Sequence, residues 1–319
     1  MKSEISTHLQ ALPTAPAPRR DVDSWLVLLI VLLGVGAMAF INPYAVKLLG
    51  KVYVLWIIVL GLQLLIAHTG VLTLGQAAFV AVGGYVAGGL VLAGLPSLWL
   101  MLLLVALASA TLGAVVGALV LRTQGLYQLM ATLAVGQMIY YGLQSLRSLG
   151  GDDGFALKLR PTLWAGWGLE SEATFGVAIV LIAALAAWLI GRIKRSEMGY
   201  FMQAARDDER KLAALGMSPY AVRLCAFVVA AVFAGIGGAL LAQLTRFTSP
   251  QIGHWMMSGE LMVLVLLGGA STRYGTFLAC CALVVVQQVV AQYTDHWPLV
   301  LGGVVLLRVL WPTKSGGRT

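Results

Sequence analysis

The chain has 319 residues, of which 60% are hydrophobic and only 11% are charged. A soluble domain carries roughly 25% charged residues, so this composition excludes a water-covered globular enzyme. It also excludes a disordered chain, which needs low hydrophobicity and high net charge. The net charge of +8 would point to nucleic acid only if the basic residues formed one face. Here they sit in short connections between apolar runs, where Lys and Arg hold loops on the cytoplasmic side of a membrane.

Residues 1–23 are polar and Pro-rich and read as a flexible cytoplasmic tail. Arg19 and Arg20 lead into an apolar run without a small-residue cleavage site, which argues against a cleavable signal. Residues 24–312 read as one transmembrane domain. Its first span is Trp25–Ile41, ended by Asn42 and Pro43. From Val52 to Leu121 there is no Asp, Glu, Lys or Arg. A span needs about 20 residues, so this stretch holds three: Val52–Ala67, Ala77–Ala93 and Leu98–Leu121. The breaks fall at His68–Gly75 and Gly94–Ser97. A fifth span covers Leu126–Leu146. Loop 147–172 follows, with Trp164 and Trp167 as interface anchors, and then a sixth span, Ala173–Ile190.

The charged segment 191–223 separates these from spans at Leu224–Leu244, Leu261–Gly269, Tyr274–Tyr293 and Leu299–Leu310. Leu261–Gly269 is short for a span, so it either includes residues before Glu260 or is a broken helix. Residues 313–319 form a second cytoplasmic tail. The fold class is all-α, a polytopic helix bundle of about eight to ten spans. Continuous rather than alternating apolar runs exclude a membrane β-barrel. With both termini inside, Lys47, Lys51, Arg147, Lys158, Arg160 and Arg246 lie outside, and the tails, Arg122, segment 191–223 and Arg273 place about 15 of the 21 Lys and Arg inside. That bias makes 147–172 periplasmic and 191–223 cytoplasmic.

Gly84-x-x-x-Gly88 and Gly113-x-x-x-Gly117 are small-residue patterns for helix contact. Cys225, Cys280 and Cys281 lie in apolar segments with no Cys-x-x-Cys pair, so no metal site is expected. There is no G-x-x-x-x-G-K-[ST] phosphate loop, no nucleophile–base constellation and no expected cofactor.

The segment 191–223 is the most informative. Gln203–Leu215 consists mostly of good helix formers, and Asp207 and Lys211 are spaced for an i,i+4 pair. Ala204, Ala205, Leu212 and Leu215 give it an apolar side. Gly216 is a helix stop, and Ser218-Pro219 reads as an N-cap followed by Pro at the first helical position. The spacing therefore predicts a short amphipathic helix, a sharp turn and a new span. Such a helix either docks in a partner's groove or is a solvated loop that sets topology.

Four ordered stretches decide between these. Leu72–Tyr85 reads L-T-L-G-Q-A-A-F-V-A-V-G-G-Y. Gly125–Ala134 reads G-L-Y-Q-L-M-A-T-L-A and is followed by G-G-D-D-G-F at Gly150–Phe155. Ala204–Gly216 reads A-A-R-D-D-E-R-K-L-A-A-L-G, and Glu260–Gly269 reads E-L-M-V-L-V-L-L-G-G. Together they resemble the permease family of branched-chain amino acid ABC importers, and its LivM-type subunit more than its LivH-type. The resemblance runs from about residue 52 to Pro312. Lys211 and Leu212 depart from it, standing where the family often has small apolar residues.

The resemblance implies a permease subunit of the bacterial inner membrane that pairs with a second, LivH-like permease. Two ATPase subunits would bind below and a periplasmic binding protein above. It implies that Ala204, Ala205, Arg206, Asp207, Glu209, Leu212, Ala213, Ala214, Leu215 and Gly216 couple the chain to an ATPase. The cargo would be a branched-chain or related amino acid, or alternatively urea, an amide or another small polar solute. An ATP-independent secondary transporter would need its own coupling-ion site, for which only Glu260 qualifies.

Several polar residues could line or gate the path. His68 closes the second span and is either a helix-end hydrogen bonder or a substrate ligand. Thr73, Gln76 and Tyr85 lie in the Gly-rich stretch after it and would line the path if that stretch is partly unwound, because irregular backbone is tolerated at membrane depth only inside protein or a cavity. Gln137 and Gln243 are further polar groups on later spans. Glu260 is placed at an outer span end, as a pore-side gating or docking group or as a plain interfacial carboxylate. Asp152 and Asp153 form either a polar turn or a docking contact for basic residues of a binding protein.

Overall fold

The computed structural model describes residues 22–40, 42–95, 97–157, 159–164, 167–168, 171–269, 272–290, 292 and 302–303. Residues 1–21 of the expected tail, most of the expected Leu299–Leu310 span and the tail 313–319 lie outside these, as do the side chains of Trp164 and Trp167. Helix α1 (Val22–Phe40) leads into α2 (Pro43–Thr69), α3 (Gln76–Leu92), α4 (Leu98–Val120) and α5 (Leu126–Ser145). Helix α6 (Glu172–Arg195) precedes two short helices, α7 (Glu197–Asp207) and α8 (Glu209–Ala214). The bundle ends with α9 (Pro219–Thr245), α10 (Trp255–Gly268) and α11 (Arg273–Val290).

By length and composition, Tyr44–Thr69 of α2, together with α4, α6, α9 and α11, can each cross a membrane; Val27–Met38 of α1, α3 and α10 are shorter apolar helices. The chain is therefore a multi-pass membrane protein. Most expected spans coincide with a helix, but the second begins nine residues earlier, at Pro43. Asn42-Pro43 starts that helix as well as ending the one before, since Pro is favoured in a first helical turn. Lys47 and Lys51, expected in a loop, are therefore helical. Helix α10 begins at Trp255, so the short eighth span does include residues before Glu260.

The centre is α2 against α9. Trp56, Ile57, Ile58 and Leu60 of helix α2 are fully buried, as expected of a helix enclosed by others. Helix α9 packs on α2, α3 and α4. Its approach to α3 is close enough that a methyl group on Gly83 would overlap the Gly235 carbonyl. A Cβ on Gly113 would meet that of Ala231 at 2.7 Å, so this glycine pattern does mark a helix contact. Leu103, Leu107, Val115 and Leu119 of α4 face outward, where lipid rather than water suits them.

The two ends of the bundle differ. One carries α7 and α8. The other carries the strand pair β1 (Phe155–Ala156) and β4 (Phe247–Thr248), which is antiparallel with Phe155 opposite Thr248, and the pair β2 (Thr162–Trp164) and β3 (Trp167–Gly168).

Candidate functional site

The predicted single helix over Gln203–Leu215 is two helices. It starts earlier, at Glu197, and breaks at Asp208, whose backbone is extended. The break follows from side-chain chemistry: an Asp carboxylate competes for nearby backbone N–H groups and favours the N-cap. Asp208 accepts hydrogen bonds from the N–H groups of Arg210 (3.0 Å) and Lys211 (3.2 Å). The expected Asp207–Lys211 pair is accordingly replaced by Asp208–Lys211 at 3.3 Å. The Lys211 N–H and ammonium, with the Arg210 N–H, hold the Asp208 carboxyl below the ordinary aspartate range.

The inward side of this unit is Met202, Ala205 and Leu212, all fully buried, with Ala204 half-buried. Leu215, expected on the same side, instead points out with 75% of its surface exposed. The inward side continues across the break to Leu212, but the second helix ends at Ala214, so Leu215 lies past its end and outside that stripe. Ala213, Ala214, Leu215 and Gly216 together form an exposed tip, and Arg206 and Asp207 are exposed on α7. Gly216 has φ +79°, the left-handed stop that the sequence indicated. Ser218 accepts from the Ala221 N–H at 3.4 Å and Pro219 begins α9.

This unit is fastened to the spans. Helix α7 packs on α2, α6 and α9. Arg206 donates to the Ala67 carbonyl, one of the last carbonyls of α2, which have no partner within their own helix. Arg223 of α9 pairs with Glu209 and donates to the Ala205 carbonyl at 3.3 Å. Tyr220 donates to the Ala118 carbonyl of α4 at 2.9 Å.

Next to Ala67, α2 ends at Gly70, which has φ +69°. Residues 70–75 are irregular, and three other helices satisfy this stretch and the helix start after it. The Leu74 N–H donates to Thr132 Oγ1 (3.1 Å), Gln76 donates to the Ala230 carbonyl (2.8 Å) and the Ala77 N–H donates to Ser258 Oγ (2.9 Å). Thr73 accepts from the Gly75 N–H at 3.2 Å. Val71, Thr73 and Gly75 of this stretch are buried, while Gly70 and Leu72 are exposed.

Thr73 and Gln76 are both buried at this stretch, and His68 is buried two residues before it. The structure does not bring Tyr85 there. Tyr85 lies further along α3, edge-on to Phe155 with ring centroids 5.8 Å apart, beneath the β1–β4 pair. Gln137 is half-buried on α5, and no hydrogen bond joins it to Thr73 or Gln76 among the described residues. Gln243 is buried, with its amide 3.7 Å from Met101 Sδ.

Glu260 lies on the second turn of α10, half-buried. It faces a cavity of about 470 Å³ whose other polar residues are Lys51, Gln287 and Gln288. Lys51 Nζ donates to Gln287 Oε1 at 3.0 Å, and Gln287 lines the same cavity as Glu260. Sequence reasoning missed Lys51 by assigning it to a loop, and it missed Gln287 and Gln288, whose only signal was an amide pair within an apolar span.

At the β1–β4 end, Asp152 and Asp153 are exposed, and Asp152 accepts from Gln144 Nε2 at 2.7 Å. A second group there was also missed. Glu172 is paired with Arg160, with Lys47 at 3.6 Å and with Arg246 at 3.5 Å. Two of its three cations are at least half exposed.

Residues 44–310 match the family model described as branched-chain amino acid transport system / permease component. The chain belongs to that family. It is 30% identical over 276 residues to the high-affinity branched-chain amino acid transport system permease protein LivM of Salmonella typhimurium. It is 30% identical over 275 residues to the protein of the same name from Escherichia coli. Each match covers 79% of this chain and 65% of the relative's length. The Salmonella typhimurium permease protein LivH is 27% identical over 198 residues, covering 58% of the chain and 62% of the relative. No solved structure matches. Family membership extends over every membrane helix described from α2 onward, and over the α7–α8 unit between α6 and α9.

Proposed function

We propose that the chain is a permease subunit of an ATP-binding-cassette importer. With a second, related permease it would form a path for branched-chain or similar amino acids delivered by a periplasmic binding protein. The observation that carries this reading is the α7–α8 unit. Its inner side is locked to α2, α6 and α9, and its outer tip presents Ala213, Ala214 and Leu215 to whatever lies below. A short rigid helix pair with an exposed apolar tip suits docking in a groove, and its anchors would transmit the partner's movement to the spans. In this reading α7 and α8 are cytoplasmic, the β1–β4 end is periplasmic, and the membrane is the bacterial inner membrane. Asp152, Asp153 and the cations around Glu172 would then meet the binding protein.

The test is a gentle detergent purification of the tagged chain from its own host, with mass spectrometry of the proteins that accompany it and uptake assays in proteoliposomes. A second permease, an ATPase pair and ATP-driven leucine uptake are the expected results. ATP-driven uptake of urea or an amide in place of leucine would change the cargo. Transport by the chain alone without ATP would overturn the reading.

A further inference from the structure

The cavity bounded by α2, α9, α10 and α11 is not explained by packing. Its volume of about 470 Å³ lies within the range of about 300–1,000 Å³ typical of small-molecule sites. Lys51 and Glu260 both line it, and both stand on membrane-embedded helices, where an ionisable side chain marks a functional site by default. A purely structural pair would close into direct contact, because partial burial strengthens the attraction and each charge is costly to leave apart. The described ion pairs involve Glu172, Asp208 and Glu209; Lys51 and Glu260 do not form one. Gln287 lines the cavity with them and accepts from Lys51 at 3.0 Å. Gln288 adds a second amide, and the rest of the wall is apolar, including Leu55, Leu241 and Val284.

We propose that this cavity is a transit site for a zwitterionic α-amino acid with an apolar side chain. Lys51 receives the α-carboxylate, Glu260 receives the α-ammonium, and the aliphatic wall takes the side chain. Opposite charges held apart at one cavity complement a ligand carrying both charges on a single carbon. Urea and simple amides carry neither charge, so they do not satisfy this pair. The inference rests on the importer reading above and adds a site within the chain that discriminates among substrates.

The experiment uses the complete permease–ATPase complex in nanodiscs without binding protein. Radiolabelled leucine is the probe. The competitors are 4-methylpentanoate, which lacks the ammonium, and 3-methylbutylamine, which lacks the carboxylate. Leucine should compete at least about tenfold better than either, the loss expected for one charged hydrogen bond. Lys51→Gln should weaken leucine by a similar factor and erase its advantage over 3-methylbutylamine alone. Glu260→Gln should erase its advantage over 4-methylpentanoate alone. This crossed pattern is not produced by a merely structural pair.

If a single variant fails to assemble, Lys51→Gln/Glu260→Gln leaves no isolated charge, and it should assemble and lose leucine binding. Leucine binding at parental strength in that double variant, or equal loss of all three ligands in both single variants, overturns the proposal. ATP-driven leucine uptake distinguishes the two levels. If uptake is present while leucine binding ignores Lys51 and Glu260, the site falls and the importer reading stands. If the parent complex shows no ATP-driven uptake of leucine, the amino acid reading falls and takes the site with it.

Discussion

Leu215 and Leu212 are three residues apart on the α7–α8 unit, yet they predict opposite outcomes. Leu212 is fully buried and Leu215 is 75% exposed. Burying a leucine side chain stabilises by about 1.5–3 kcal/mol, so seating Leu215 in an ATPase groove should contribute about 2 kcal/mol. Leu215→Asp forgoes that and places a carboxylate in the groove, so ATPase affinity should fall at least about 30-fold. The chain's own fold should hardly change, since a surface substitution of this kind lies within about ±0.5 kcal/mol. Leu212→Ala leaves a hole under α8 and should cost about 2–5 kcal/mol of stability. The assay pairs a thermal melt of the purified chain with ATPase recovery on a tagged-chain column. Leu215→Asp should melt like the parent and lose the ATPase; Leu212→Ala should melt lower. A Leu215→Asp chain that retains the ATPase fully would refute docking through this tip.

Arg206→Ala removes the guanidinium from the Ala67 carbonyl at the end of α2. It should leave ATPase recovery intact and lower the amount of leucine transported per ATP hydrolysed; an unchanged ratio measured in proteoliposomes would exclude this link. Thr132→Val leaves the Leu74 N–H without its acceptor and should destabilise by about 1–3 kcal/mol, with Thr132→Ser restoring the melt. Asp208 has its folded pKa depressed, so its contribution to stability is present above the unfolded value of about 3.9 and is lost as pH falls through the folded value. Protection of the Arg210 and Lys211 amides, measured relative to their intrinsic exchange at each pH, should therefore fall on acidification, and Asp208→Asn should remove that fall.

What the sequence revealed and what it hid divide along a physical line. Gly216, Ser218 and Pro219 act through their own backbone and nearest neighbours, so the end of α8 and the start of α9 could be read directly. Long apolar runs report membrane burial whatever their partners, so most spans were legible too. The break at Asp208 turned on a competition between helix propensity and capping that three consecutive acids, Asp207, Asp208 and Glu209, left open. Lys51 was misplaced because charge served as the marker of a loop, and that marker fails when a charged group faces a cavity instead of lipid. Tyr85 was grouped with Thr73 and Gln76 by proximity in the chain, but α3 is a regular helix that carries it to the other end of the bundle. The cavity of Glu260 draws on four helices, and no local pattern could assemble it.

One helix connects these pieces. At one end of α2, Arg206 of the α7–α8 unit grips the Ala67 carbonyl. One turn in from Ala67, Gln63 donates to the carbonyls of Gly269 and Thr272, both at 3.1 Å, and so holds the link between α10 and α11. Further along, Trp56 donates to the Arg273 carbonyl at 3.2 Å. Near the far end, Lys51 reaches Gln287 of α11. From Lys51 to Ala67 the helix is continuous and spans about 24 Å at 1.5 Å per residue. Its interior side chains are fully buried, so bending would open voids in a densely packed wall. A force applied at α7 is therefore resisted along α2 as along a rod.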